Sequence, residues 1–356
     1  MRDERQHAGG LRDGLRQKVR EFAELRRRIK RRLGWLAPLR ISLYGGFGTL
    51  SEVSVRGRVL EERPGAAPSA TDRGFDNFRR AFAQFESDEV AGVELELRAG
   101  ERRVRVMTDA DGYFHARLPL AERAAPGWFR IDAEVTRAPY PVSAAARAEG
   151  AVLIPEPSAR FGVISDIDDT ILRTHVRNKA KMVYLTLLAN ALTRLSFDGT
   201  TELYRGLRQA GRGAPFFYVS QSMWNIFPLL EHFIEHQDLP RGPLLLRDVS
   251  LLAGRPAAPH KAQAIAELFA TYPDLPFVLI GDSGERDLPL YLEVARRHPR
   301  RVASILIRNV SRARALPALR ALVSEASALG CPALIFEDSR DAIAHCRELG
   351  LWSAPA

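Results

Sequence analysis

Four clusters of polar residues in the second half of the chain have the types and spacing to do chemistry. The first, Ser165-Asp-Ile-Asp-Asp-Thr170, directly follows the apolar run Phe161-Gly-Val-Ile164. The others are Ser220-Gln-Ser222 after a second apolar run, His260-Lys261 opening a helix-like segment, and Gly281-Asp-Ser-Gly-Glu-Arg-Asp287 after a third run. Apolar runs of this kind are typical of buried parallel strands, whose carboxyl ends meet at one sheet edge. We therefore expect the four clusters to form one site.

The acidic residues of these clusters predict a divalent cation. Asp166 and Asp168 would repel each other, and the acids of the last cluster, unless a cation lay among them. Magnesium is the expected ion, because it is a hard cation that takes few carboxylates and works beside substrate phosphate. Lys261 and the Ser220 hydroxyl would complete a clamp for a phosphoryl group whose charge shifts in the transition state.

The same four clusters, in this order and context, resemble the four motifs of the haloacid dehalogenase superfamily. Within it, the chain is similar to phosphatidate phosphatases of the actin-patch type, and the similar segments cover roughly residues 161–310. They are Ile164-Ser-Asp-Ile-Asp-Asp-Thr-Ile171, Tyr218-Val-Ser-Gln-Ser-Met-Trp224, Gly242-Pro-Leu-Leu-Leu-Arg-Asp248 and Gly281-Asp-Ser-Gly-Glu-Arg-Asp287. Two earlier stretches, Tyr44-Gly-Gly-Phe-Gly-Thr49 and Phe85-Glu-Ser-Asp-Glu-Val90, resemble the region that precedes this catalytic domain in bacterial members.

The resemblance implies a catalytic role for each matching residue. Asp166 would attack phosphorus to form an aspartyl-phosphate, and Asp168 would protonate the leaving alkoxide and then deprotonate water. Magnesium would be held by the Asp166 carboxylate, the backbone carbonyl of Asp168 and Asp282, with Asp287 as a less direct ligand. Ser220 and Lys261 would neutralise and orient the phosphoryl oxygens.

Further residues are expected beside the substrate. Ser222 competes with Ser220 for the same role, Thr170 either supports the nucleophile loop or contacts substrate, and Arg247 lies either on the phosphate side or on the surface. Trp224, together with the apolar run at residues 182–192, would give the entrance an apolar lip suited to acyl chains. Ordinary burial of that run against the body of the protein is the alternative.

The elements that must position these residues indicate an α/β fold. Strand-like runs alternate with helix-like segments after the linker Pro155-Glu-Pro-Ser-Ala159, so residues 158–356 are predicted to form a Rossmann-like parallel-sheet domain of the haloacid dehalogenase type. A small cap is expected near residues 174–200. Residues 41–150 alternate with period two, which predicts a small β-sandwich with one inserted helix around Phe75, Phe78, Phe82 and Phe85. Within it, Asp109-Ala-Asp-Gly112 predicts a hairpin turn rather than a calcium loop.

Nearly all of the net charge lies in the N-terminal segment. The chain of 356 residues has a net charge of +9, and residues 1–40 hold 13 Lys and Arg against five Asp and Glu. In residues 11–36 apolar residues recur every three or four positions and basic residues fill most of the others, as in a basic amphipathic helix, which fits an anionic membrane surface. The stripe could instead pack on the protein body or on a partner helix. A uniformly basic nucleic-acid-coating protein is excluded, and no nucleic-acid partner is expected.

These observations favour a magnesium-dependent phosphatidate phosphatase. The alternatives are a phosphatase of the same superfamily that acts on a soluble phosphomonoester, and a catalytically idle lipid-binding or scaffold protein. Only two cysteines and no run of 18 apolar residues occur, so a cytoplasmic protein at the membrane periphery is expected. The oligomeric state does not follow from the sequence.

Overall fold

The structure is a computed structural model, which describes residues 38–61, 89–139, 146–168, 170–171, 197–248, 260–284, 287–310 and 316–355. The predicted basic helix at 11–36, the phenylalanine-rich helix, and the apolar run at 182–192 with most of its predicted cap lie outside these residues. Asp169 does as well. The described residues form two β-sheets, one of seven strands and one of six.

The first sheet is built from strands with alternating buried and exposed positions. Its strands are β1 (Leu39–Gly48), β2 (Glu52–Glu61), β3 (Glu94–Ala99), β4 (Arg102–Met107), β5 (Tyr113–Pro119), β6 (Gly127–Arg137) and β7 (Arg147–Ile154). They hydrogen-bond in the order β4-β3-β6-β7-β1-β2-β5. In β3, for example, Leu95 and Leu97 are fully buried while Glu94 and Glu96 are partly exposed. Most of the buried apolar residues of these strands share one core.

The first sheet is curled, because its two end strands are consecutive in the chain. Only residues 108–112 join β4 to β5, and five residues span at most about 17 Å. A flat sheet would separate the end strands by roughly 29 Å, six spacings of about 4.8 Å. The expected β-sandwich is therefore not confirmed in that form, since these strands belong to one continuous curled sheet.

The turn between β4 and β5 is present, but it does not make a hairpin. The carboxylate of Asp109 accepts hydrogen bonds from the backbone N–H groups of Asp111 and Tyr113, both at 2.9 Å, and Gly112 has a φ of +78°. Because β4 and β5 lie at opposite ends of the hydrogen-bonded order, the predicted pairing of the two strands is wrong. The turn closes the curled sheet.

The second sheet is parallel and covered by helices, which confirms the predicted α/β architecture. Its strands are β8 (Gly162–Ser165), β9 (Phe216–Met223), β10 (Leu244–Arg247), β11 (Phe277–Asp282), β12 (Val302–Arg308) and β13 (Ala333–Phe336). The helices are α1 (Thr200–Ala210), α2 (Phe227–His236), α3 (His260–Thr271), α4 (Asp287–Arg297), α5 (Leu316–Ala328) and α6 (Ser339–Glu348). The strand order is β10-β9-β8-β11-β12-β13, so β8 lies between β9 and β11. The carboxyl ends of these three strands therefore carry the first, second and last polar clusters side by side.

The two sheets pack directly against each other. Phe47 of β1 meets Phe217 of β9 edge to face, with ring centroids 5.8 Å apart, and the Tyr272 hydroxyl donates to the carbonyl of Gly48 at 3.0 Å. Phe47 and Leu153 belong to the same buried cluster as the apolar residues on one face of the parallel sheet.

Among the described helices, none combines the length and apolar character needed to cross a bilayer.

Candidate active site

Asp166 lies at the centre of the carboxyl edge of the parallel sheet. It follows β8 directly, its backbone N–H donates to the carbonyl of Ile280 on β11 at 2.9 Å, and the residue is 1% exposed. The Thr170 hydroxyl donates to Asp166 Oδ2 at 3.2 Å. Thr170 is itself 1% exposed, so the structure places it in support of the loop that carries Asp166, one of the two positions expected for it.

Two further carboxylates lie against Asp166. Asp282 ends β11 and Asp287 begins α4, and carboxylate oxygens of the three residues lie within 4.8 Å of one another. Both residues are almost fully buried. The backbone N–H of Gly284 donates to Asp282 Oδ1 at 2.5 Å, which fixes this carboxylate at the strand end. The first and last polar clusters of the sequence therefore meet.

Lys261 supplies the positive charge of this cluster. It lies in the first turn of α3 and is 3% exposed. Its ammonium lies 2.8 Å from Asp166 Oδ1 and 2.7 Å from Asp287 Oδ1. A buried Lys held by two carboxylates is well placed to contact a further anion beside them, which agrees with its predicted place in the site.

The electrostatics of the cluster are unbalanced. Burial raises the pKa of the Asp166 carboxyl well above its usual range, and the charge of Lys261 opposes this rise. The neighbouring carboxylates of Asp287, Asp168 and Asp282 raise the same pKa further. One ammonium therefore does not compensate the negative charge gathered here.

Asp168 faces a different set of partners. Its Oδ2 accepts hydrogen bonds from the Ser220 hydroxyl at 2.8 Å and from the Ser222 hydroxyl at 3.1 Å. The Ser220 oxygen in turn accepts from the backbone N–H of Ser222 at 2.9 Å. Both serines, expected as competitors for one role, thus hold the same carboxylate. The Asp168 carboxylate lies outside the three-carboxylate group, so only the predicted backbone carbonyl ligand would connect Asp168 to a metal.

Trp224 and Arg247 lie further from the carboxylates. Trp224 is 2% exposed; its ring stacks on Tyr44 of the first sheet, and its indole N–H donates to Asp248 Oδ1 at 2.7 Å. This packing between the sheets explains the side chain without a substrate, and the structure does not place it as the predicted apolar lip. Arg247 ends β10, the edge strand, and is partly buried, with an Nε that has no hydrogen-bond partner among the described residues.

Sequence reasoning missed Arg308, which is 2% exposed at the end of β12. Its Nε donates to the carbonyl of Thr170 at 2.9 Å, and its guanidinium also reaches the hydroxyls of Thr200 and Ser339, each at 3.1 Å. It therefore braces the loop that carries Asp166. The signal was available, because Arg308 directly follows the apolar run Val302-Ala-Ser-Ile-Leu-Ile307, as the other polar clusters follow theirs.

The donor set fits a hard divalent cation. Three buried carboxylates within 4.8 Å of one another are the oxygen ligands that magnesium prefers, and magnesium uses few of them. Burial raises the pKa of the Asp166 carboxyl, and the neighbouring carboxylates raise it further; a bound cation would oppose both effects. Asp166, Asp282 and Asp287 are the residues that would hold the ion.

Comparison with known proteins identifies the domain that contains this site. Residues 161–309 match the family described as "Phosphatidate phosphatase APP1, catalytic domain". The resemblance predicted from the motifs is thereby confirmed: residues 161–309 are similar to the catalytic domain of the phosphatidate phosphatase APP1 family.

Two yeast proteins show the same similarity. The chain is 34% identical over 155 residues to "Phosphatidate phosphatase APP1" of Saccharomyces cerevisiae, covering 42% of this chain and 26% of the relative. It is 32% identical over 154 residues to an uncharacterized protein of Schizosaccharomyces pombe, covering 42% of this chain and 25% of that protein. The chain thus matches about a quarter of the length of these relatives.

The comparison with solved structures gives a weak similarity. The similar structure is that of a haloacid dehalogenase family hydrolase from Deinococcus radiodurans with bound phosphate and sodium, 19% identical, covering 56% of this chain and 100% of that chain with a TM-score of 0.33. That overlap is too loose to support an argument about function.

Proposed function

We propose that the chain is a magnesium-dependent phosphatidate phosphatase, which hydrolyses phosphatidate to diacylglycerol and phosphate. The observation that carries the proposal is the separation of two acids on one loop. Asp166 lies between Lys261 and two further carboxylates, whereas Asp168, two residues on, is held by two serine hydroxyls. This separation supports attack on phosphorus by Asp166 and proton transfer by Asp168.

In the first half-reaction, a carboxylate oxygen of Asp166 attacks phosphorus while the bond from phosphorus to the glycerol oxygen breaks. Protonated Asp168 gives its proton to the leaving alkoxide, so diacylglycerol departs neutral and Asp166 becomes an aspartyl-phosphate. The Lys261 ammonium, which lies 2.8 Å from Asp166, would also bind the phosphoryl oxygens and stabilise their charge. The burial of the cluster excludes water from competing at this stage.

In the second half-reaction, the Asp168 carboxylate takes a proton from water, and that water attacks the phosphorus of the aspartyl-phosphate. The bond between phosphorus and the Asp166 oxygen breaks, which releases phosphate and restores the Asp166 carboxylate and the Asp168 acid. The hydroxyls of Ser220 and Ser222 hold Asp168 in place through both transfers. Bound magnesium would supply charge that lowers the repulsion between the attacking carboxylate and the phosphate.

We further propose that the enzyme works at the membrane periphery in the cytoplasm, where residues 11–36 would hold it against anionic lipid. The apolar residues of that segment recur every three or four positions and basic residues fill most of the others, which supports this. Deleting residues 1–37 should reduce binding to vesicles of phosphatidylserine and phosphatidylcholine most strongly at low salt, and should spare hydrolysis of a soluble ester. Equal loss of both would assign the segment to the fold.

The decisive experiment measures phosphate release from phosphatidate in mixed micelles, with magnesium or with EDTA, beside a panel of soluble phosphomonoesters. We expect magnesium-dependent release from phosphatidate, which Asp166→Asn abolishes. The matched control is Asp274→Asn, which changes an exposed carboxylate before the opposite end of β11. Activity confined to the soluble panel would favour a soluble substrate, and no activity on any ester would favour a scaffold.

A further inference from the structure

The first sheet reaches the candidate active site through Tyr44. The pairing of β1 with β2 shifts register between Leu43 and Gly45, so Tyr44 is the extra residue of a β-bulge. Gly45 has a φ of +73°, which is the left-handed backbone that glycine adopts readily. A bulge redirects a side chain out of the regular alternation. Here it sends the Tyr44 ring away from the core of the first sheet and into the apolar cluster of the parallel sheet.

Tyr44 packs on the segment that leaves β9. Its ring stacks on Trp224, with centroids 4.4 Å apart and an interplanar angle of 15°, and also touches Phe227 at 5.2 Å. Tyr44 and Trp224 are 7% and 2% exposed. Trp224 opens a single turn of 3-10 helix, Trp224–Ile226, so the stack fixes the point at which the chain turns out of the strand.

Arg58 holds the next residue of the same segment. Its guanidinium donates to Asn225 Oδ1 at 3.3 Å. Arg58 is 4% exposed and is held within the first sheet by the carbonyl of Asp111 and the carboxylate of Glu89, both at 2.9 Å. Trp224 and Asn225, which directly follow β9, are therefore held by side chains from two neighbouring strands of the first sheet.

This segment is continuous with the residues that hold Asp168. Ser220 and Ser222 lie near the end of β9, where its pairing with β10 shifts register, and both hydroxyls donate to Asp168 Oδ2. Trp224 begins the 3-10 turn directly after β9. Only one residue separates Trp224 from Ser222, so we expect a shift of Trp224 to displace the serine.

We infer that the first sheet is a working part of the catalytic apparatus, with Tyr44 and Arg58 as positioning residues for Asp168. They act through Trp224 and Asn225 on the two serine hydroxyls. The inference rests on the proposed function, because it assigns to Asp168 the proton that the leaving group receives. It explains why the stretch Tyr44-Gly-Gly-Phe-Gly-Thr49 accompanies a catalytic domain that begins more than a hundred residues later.

The first test compares two leaving groups in the Tyr44→Leu variant. A short-chain monomeric phosphatidate leaves as an alkoxide and needs the proton of Asp168, whereas p-nitrophenyl phosphate releases a stable anion without it. Because kcat/KM reports formation of the aspartyl-phosphate, Tyr44→Leu should lower it for the phosphatidate by about tenfold or more, and for p-nitrophenyl phosphate by less than about twofold. Tyr44→Phe keeps the stacked ring and should restore the phosphatidate rate.

Phe47→Leu is the matched control. Phe47 lies on the same strand and crosses the same interface, but it packs on Phe217 and Tyr272, on the opposite side of the parallel sheet from Trp224. Loosening the interface there should leave the ratio of the two kcat/KM values as in the wild type. If kcat/KM fell equally for both esters in Tyr44→Leu and in Phe47→Leu, Tyr44 would only stabilise the fold. That result would overturn the inference.

A second variant covers the case in which Tyr44→Leu does not fold. Asn225→Ala removes the contact with Arg58 from the catalytic side, and should lower kcat/KM for the phosphatidate more than for p-nitrophenyl phosphate. An unchanged ratio in Asn225→Ala and in folded Tyr44→Leu, with an active wild type, would refute the positioning role alone. A wild type without activity on either ester would instead refute the proposed function.

Discussion

The carboxylate cluster predicts that Asp282→Asn stabilises the metal-free protein while removing its response to magnesium. Oxygens of Asp166, Asp282 and Asp287 lie within 4.8 Å of one another, and Lys261 pairs with Asp166 and Asp287. Replacing Asp282 by its isosteric amide thus removes negative charge without touching either of these ion pairs. An amide oxygen can still accept the hydrogen bond from the backbone N–H of Gly284.

The magnitude follows from the separations in the cluster. Two unit charges 4.8 Å apart repel by about 3.5 kcal/mol at an effective dielectric constant of about 20. Asp282→Asn removes two such repulsions. We count the attraction of Asp282 to the Lys261 ammonium, which is also lost, as equal to one of them, which leaves a gain of about 3.5 kcal/mol. For a domain of this size, that raises the melting temperature by roughly 7–14 °C. Magnesium at a hundred times its dissociation constant would stabilise the wild type by about 2.7 kcal/mol.

The assay is thermal unfolding of the wild type and variant in EDTA and across a magnesium titration. In EDTA, Asp282→Asn should melt above the wild type. With magnesium, the melting temperature of the wild type should rise by roughly 5–10 °C, while that of Asp282→Asn should hardly change. The melting temperature of Asp274→Asn should follow that of the wild type throughout. A variant that melts below the wild type in EDTA would refute the repulsion, and a wild type indifferent to magnesium would refute the metal site.

Three other predictions concern the rest of the fold. Arg308→Lys should lower the free energy of unfolding by about 2–4 kcal/mol in urea titrations, because an ammonium cannot serve the separate oxygens that the guanidinium reaches; an unchanged midpoint would contradict this. Burial lowers the pKa of His345, so the unfolded state binds its proton more readily, and stability falls as pH drops below about 6.5; His345→Gln should flatten that fall. Burial raises the pKa of Cys331 to about 11 and that of Cys346 to about 12, so at pH 8 an aromatic disulfide reagent should titrate neither thiol until the protein unfolds.

Most of the parallel sheet could be predicted from the sequence, because each strand is a continuous apolar run of a length typical of strands. The runs starting at Phe216, Phe277, Val302 and Ala333 begin where β9, β11, β12 and β13 begin. The strand β10 was missed, since three apolar residues between a proline and a charged pair do not distinguish a strand from a loop. The curl of the first sheet was also missed, because alternation assigns faces within a strand and leaves the neighbours of each strand open.

The residues that form the site could be predicted from the sequence better than the contacts between them. Asp166, Asp282, Asp287 and Lys261 could be predicted to meet, because each follows a strand or opens a helix at the same sheet edge. The pairing of Asp168 with both serines depends on side-chain direction at the end of β9, which residue spacing does not set. The placement of Trp224 was missed for a related reason, since the ring that covers it comes from a bulge far away in the chain.

The charge pattern of the first sheet also bears on membrane binding. Five of its exposed arginines are matched by acids on a neighbouring strand: Arg98 with Asp132, Arg103 with Glu96, Arg105 with Glu94, Arg130 with Glu149, and Arg147 with Glu134. Exposed pairs of this kind add little stability. Because each arginine lies beside an acid, however, the sheet produces little net positive field at distances beyond a Debye length. Residues 1–40 carry a net charge of +8 of the total of +9. A salt-sensitive attraction to anionic lipid would therefore arise from that segment, which is why its deletion can separate attachment to a vesicle from hydrolysis of a soluble ester.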